Sequence, residues 1–185
     1  MQRLDPKSTA VIVIDVQERL APAMPEAHLA ELLRASRILL RGAALFGSPV
    51  LATEQYPRGL GATVPELGEQ LGELNVAPRE KLSFSACDDE AFMAELEASG
   101  ARAAVVVGME SHVCVYQTVR DLVGAGLDVH VPIDGVCSRR DDHRQAGIDL
   151  CVRAGAVRTT TESVAFDWLR VAGSPEFKEL SGLIR

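Results

Sequence analysis

Asp15, Lys81 and Cys114 are of the types that supply a base, an electrostatic support and a nucleophile. Cys114 follows Gly108-Met109-Glu110-Ser111-His112-Val113, a turn between a β-branched run and a helical pattern. With Ser111 as N-cap, Cys114 is the third helical residue, near unpaired backbone N–H groups and the positive helix end. That setting favours a thiolate. Asp15 ends an otherwise apolar run. A buried, unpaired carboxylate is costly there, so it needs a partner. Lys81 lies in Arg79-Glu80-Lys81-Leu82-Ser83-Phe84-Ser85. At an effective dielectric of roughly 20, a lysine ~4 Å from the sulfur favours the thiolate by about 4 kcal/mol. The helix end adds only about 0.3–1 kcal/mol. An ionised Asp15 at a similar distance nearly cancels the lysine, and acid and thiol then share one proton. Asp15 can thus serve as base for Cys114, with Lys81 holding the pair charged. Each residue taken singly also has an ordinary reading: a core cysteine, a loop-capping acid, a solvated lysine.

These residues can meet only if the elements before them converge. Strand-like runs cover Thr9–Asp15, Pro49–Thr53, Asn75–Lys81, Ala103–Val107, Leu127–Ile133 and Val157–Thr160. Helical patterns cover Glu26–Phe46, Asp88–Ser99, Ser111–Gly124, Asp141–Ala154, Ser163–Val171 and Pro175–Leu183. Glu54–Leu67 reads as a loop, because Pro57, Gly59, Gly61 and Pro65 interrupt it. Continuous apolar strands alternating with helices predict an α/β fold: three layers around a doubly wound, six-stranded, mainly parallel sheet. The whole chain, 1–185, reads as one such domain. Ligands of such folds bind beyond the carboxyl ends of the strands, where Asp15, Lys81 and Cys114 are expected.

Four segments then acquire a common meaning: Val11-Ile-Val-Ile-Asp15-Val-Gln17, Arg79-Glu-Lys81-Leu-Ser-Phe-Ser85, Val107-Gly-Met-Glu-Ser-His-Val-Cys114-Val and Gly126-Leu-Asp-Val-His-Val-Pro-Ile-Asp134. In this order and spacing the chain, from about Thr9 to Trp168, resembles the isochorismatase-like cysteine hydrolases. Thr53-Glu-Gln-Tyr-Pro-Arg-Gly-Leu-Gly61 is similar to a subgroup of small isochorismatase-domain proteins. The resemblance implies a parallel six-stranded sheet and an Asp15–Lys81–Cys114 catalytic triad. It implies a non-proline cis peptide at Met109–Glu110, aiming the N–H groups of Glu110 and Cys114 at an oxyanion. The implied reaction cleaves an amide-type C–N bond of a small molecule through a thioester. Gln17, Gln55, Tyr56, Phe84 and His112 are the candidate substrate-binding residues. Nicotinamidases of this family carry an Asp-x-His metal site after the second strand; here that region holds no histidine. No metal and no cofactor are therefore expected. Isochorismate-cleaving members lack the cysteine, so its presence argues against vinyl-ether hydrolysis.

Composition limits the remaining classes. Lys+Arg number 19 and Asp+Glu 26, a net charge of −7. Nucleic-acid binding calls for the opposite balance. No apolar run approaches a membrane span, and no secretory signal precedes the first strand, so a cytoplasmic location is expected. Cys87, Cys114, Cys137 and Cys151 have no zinc-like spacing and read as free thiols. Cys114 to Arg120 matches C-x5-R, but a phosphate loop needs a glycine-bearing cradle, whereas this segment is helical and places the arginine about 240° from the sulfur. The expected partners are a small-molecule substrate and further copies of the chain, as a homodimer or higher homo-oligomer. The alternative function is a slow or silent binding module on the same fold; a peroxide-sensing cysteine is a third possibility.

Overall fold

The computed structural model describes residues 3–184. Seven strands form one sheet: β1 Thr9–Ile14, β2 Val50–Gln55, β3 Arg79–Lys81, β4 Ala103–Met109, β5 Asp128–Pro132, β6 Val136–Cys137 and β7 Val157–Thr159. Their order is β3-β2-β1-β4-β5-β7, with the two-residue β6 paired to the end of β4. Every strand pair is parallel. The sheet has seven strands where six were expected, because β6 is too short to leave a pattern. Eight helices accompany them among the described residues: α1 Glu26–Phe46, α2 Pro57–Leu60, α3 Pro65–Glu73, α4 Glu90–Ala98, α5 Tyr116–Gly124, α6 Asp141–Ala154, α7 Thr161–Leu169 and α8 Pro175–Ile184.

β1 and β4 are buried along their whole length. Successive side chains leave opposite faces of a strand, so each must meet a helix layer. Val11, Val13, Val105 and Val107 pack with Leu32, Leu39 and Leu40 of α1, Leu67 and Leu71 of α3, and Trp168 of α7. Ile12, Ile14, Ala104 and Val106 pack with Phe92 and Leu96 of α4, Val119 and Leu122 of α5, and Ile148 and Cys151 of α6.

The expected bounds of α1 and α6 match, and both helices end on a left-handed glycine, Gly47 or Gly155. The largest departure is in the expected loop, Glu54–Leu67. There β2 runs on to Gln55, and α2 and α3 follow. Pro57 and Pro65 open these helices instead of breaking them, since proline fits the first helical turn. Leu67 and Leu71, one helical turn apart, bury against α1. β3 begins at Arg79 and not Asn75, which takes a left-handed turn at φ 58°. α7 begins at Thr161 and not Ser163, because Thr160 caps it by accepting the Ser163 N–H at 3.1 Å.

Candidate active site

β1 leads to β2 on one side of the sheet while β4 lies on its other side. The β1/β4 junction is therefore the switch point, where parallel sheets of this type open a crevice. Asp15 stands directly after β1, fully buried. Its φ of 52° is uncommon for a residue other than glycine and turns the chain sharply out of the sheet. Gly108 in β4 allows this close approach: at φ 133°, a Cβ there would lie 2.1 Å from the Ile14 carbonyl oxygen.

Lys81 closes β3, and its ammonium meets the Asp15 carboxylate in a buried ion pair, Nζ to Oδ2 2.7 Å. The same nitrogen donates to Gln55 Oε1 at 2.8 Å, to the Phe84 carbonyl at 3.1 Å and, more weakly, to the Ser83 carbonyl at 3.3 Å. Three protons meet four acceptors, so Lys81 has no donor left for a substrate. It acts as a fixed positive charge. On its other oxygen, Asp15 accepts the Thr53 hydroxyl, Oγ1 to Oδ1 2.7 Å.

Cys114 lies in a wide π-type turn, Ser111–Val115, which leads into α5. The expected regular helix start at Ser111 is thus replaced, and Glu110 takes the cap position. The thiol is 6% exposed and faces both Asp15 and Lys81. Burial, and then the Asp15 carboxylate, push it up to about 12, against the smaller pull of Lys81. Of the two settings expected for the sulfur, a thiolate at the helix end or a proton shared with Asp15, this burial favours the protonated thiol. Removal of the sulfur from water outweighs both the lysine and the helix end.

The Met109–Glu110 peptide is cis. Its surroundings are tied down by residues that sequence reasoning did not single out. Ser138 Oγ accepts the Ser111 N–H at 3.1 Å and lies 2.7 Å from Ser111 Oγ. Glu110 Oε1 accepts both the backbone N–H and the guanidinium Nε of Arg139, at 3.1 and 2.9 Å. Burial alone would raise the Glu110 carboxyl, but these Arg139 hydrogen bonds hold it below its ordinary value. Gly147 of α6 packs on this turn so closely that a Cβ would lie 2.4 Å from the Ser111 carbonyl carbon.

The five candidate substrate contacts separate. Gln17 is buried and committed to backbone: it donates to the Gln55 and Gly61 carbonyls at 3.1 and 2.7 Å and accepts the Gln55 N–H at 2.8 Å. Its structural role is to pin the α2 loop. Gln55 braces Lys81 and donates to the Leu82 carbonyl at 2.9 Å. His112 turns away to α6, with Nδ1 3.1 Å from Ser138 Oγ and its ring 4.7 Å from that of His143. Residues two apart on a helix lie about 200° apart, which separates His112 from the sulfur. Tyr56 and Phe84 remain at the mouth, 52% and 53% exposed beside Leu82 at 76%. Tyr56, Pro57, Arg58, Glu80, Lys81 and Leu82 line a cleft of about 360 Å³ there. Among the described residues no three His, Cys, Asp or Glu side chains converge as metal ligands.

The isochorismatase domain model matches residues 9–163. Isochorismatase domain-containing protein 1 of Danio rerio is 36% identical over 98% of this chain, which spans 62% of that relative's length. A Caenorhabditis elegans MAR1 ribonuclease structure is 37% identical with a TM-score of 0.90, covering 99% of this chain and 92% of that one. Pseudomonas aeruginosa YcaC, solved with hexane-2,5-diol and covalent acrylamide, is 26% identical with a TM-score of 0.89, covering 98% and 91%.

Proposed function

The chain belongs to the isochorismatase domain family, and from that premise we propose that it is a cysteine-dependent hydrolase of small-molecule amide-type C–N bonds. The observation that carries this reading is the buried Asp15–Lys81 pair at 2.7 Å with the Cys114 thiol facing both partners. A neutral thiol beside a carboxylate acts only when a substrate draws its proton across. Asp15 takes that proton as the sulfur bonds to the carbonyl carbon, and the C=O π pair moves to oxygen. The N–H groups of Glu110 and Cys114 are the proposed oxyanion donors. On collapse the C–N bond breaks, and nitrogen takes the proton from Asp15 and leaves as ammonia or an amine. Water then adds to the thioester while Asp15 accepts its proton. The C–S bond breaks, a carboxylic acid departs and the thiol is restored. Lys81 stays charged throughout and offsets the moving negative charge.

The covalent acrylamide of the Pseudomonas relative makes acrylamide one probe, whose addition at its alkene is to be told from acyl transfer by mass. The nematode relative's name raises RNA as a competing substrate. A net charge of −7 speaks against a polyanion. The test is a panel of small primary amides and ureas, with ammonia release and the mass of Cys114 both followed, beside an RNA digestion. A transient acyl mass on Cys114 with ammonia release is the expected result. RNA cleavage that survives Cys114→Ala overturns the assignment; a panel yielding neither acyl mass nor ammonia moves the function to a binding module.

A further inference from the structure

Resting on the base role proposed for Asp15, we infer that Thr53 is a positioning residue that fixes which way the Asp15 carboxylate faces and keeps it ready to take the Cys114 proton. Thr53 touches Asp15 twice. Its carbonyl accepts the Asp15 N–H at 3.1 Å, and its hydroxyl donates to Oδ1 at 2.7 Å. The residue is 2% exposed and sits within β2, two residues before its end, paired with Ile14 of β1. A β-branched side chain on a strand is stiff at χ1, so the hydroxyl is aimed before any substrate arrives.

The hydrogen-bond arithmetic gives the hydroxyl its role. A carboxylate has two oxygens and is free to rotate about its last bond. Lys81 holds one oxygen and Thr53 the other. With both ends held, the carboxylate plane cannot turn, and its remaining lone pairs keep a fixed relation to the sulfur. Besides Thr53 from β2, Asp15 is faced by the Lys81 ammonium from β3 and by the Cys114 thiol from the turn after β4. Two nearby acids are engaged elsewhere: Glu54 by Thr63 and Glu110 by Arg139. Removing the hydroxyl therefore removes one of two donors to a buried base while leaving the ion pair.

The test needs no known substrate. The rate of Cys114 carbamidomethylation by iodoacetamide is measured by mass spectrometry from about pH 4 to 9. The chains compared are the unmodified protein, Thr53→Val and Thr53→Ser. Buried Cys137 and Cys151 serve as internal reporters of folding, since they react only if the chain opens. Thr53→Val should slow the reaction about tenfold. Thr53→Ser should restore most of that rate. Superimposed profiles for Thr53→Val and the unmodified protein, with Cys137 and Cys151 still protected, overturn the Thr53 role alone. An Asp15→Asn chain alkylated as fast as the unmodified protein overturns the base reading of Asp15 itself.

Discussion

Burial raises the Cys114 thiol to about 12, with the Asp15 carboxylate adding to the effect, and so favours its protonated form. A permanent thiolate in this pocket would stand against a carboxylate with only one compensating cation. In the proposed mechanism, holding the charge on Asp15 and Lys81 keeps the sulfur protonated until a carbonyl is in place. Three substitutions separate chemistry from stability. Cys114→Ala and Asp15→Asn should each lower turnover at least about 10³-fold, with a circular dichroism spectrum close to that of the unmodified chain. Lys81→Met leaves a buried carboxylate without its cation, and should cost about 3–5 kcal/mol in urea unfolding. Combined with Asp15→Asn its cost should shrink, because the pair fails as a unit.

Elements place these atoms by close approach more than by side-chain bonds. The β1 and β4 ends meet through Gly108, and α6 meets the Ser111–His112 backbone through Gly147. Gly147→Ala should lower activity more than stability, since its Cβ would displace the turn that carries Cys114. Thermal unfolding beside the alkylation rate of Cys114 checks this. Gly72 of α3 gives the contrast: it has open space around its missing Cβ. Gly72→Ala should raise stability by about 0.5–1 kcal/mol and leave Cys114 reactivity unchanged.

At the scale of the molecule, the free thiols are linked to pH. Burial raises Cys87 to about 11 and Cys114, Cys137 and Cys151 to about 12, from an ordinary 9.0. An acid with a higher value in the folded chain keeps its proton longer there. Stability is therefore full below about pH 9 and falls as the pH rises toward about 12. Urea titrations from pH 7 to about 10 should show this decline, and Cys137→Val with Cys151→Val should flatten it. Tyr56, Leu82 and Phe84 form an exposed apolar rim around the proposed site mouth. Such a rim fits burial against another copy of the chain. Sedimentation velocity should give a homodimer or larger species, and Leu82→Glu should shift it toward monomer.

The sequence determined the layer architecture because periodicity is a local property. Apolar runs such as Val105-Val106-Val107 need cover on both faces, and α1 and α6 carry their own end signals. It also marked Asp15, Lys81 and Cys114, since an acid ending an apolar strand and a cysteine opening a helix stand out in one dimension. It misread α3, because Pro65 marks a helix start and a loop equally well until Leu67 and Leu71 have a surface to bury against. Only the tertiary structure decided which way the Cys114 thiol is shifted, which depends on burial and on a carboxylate 99 residues away in sequence. It alone showed Gln17 bonded to backbone and Gln55 to Lys81, and brought Thr53 beside Asp15 and Ser138 beside Ser111. Hydrogen bonds across strands depend on register, and register is settled only when the two faces of the sheet are packed.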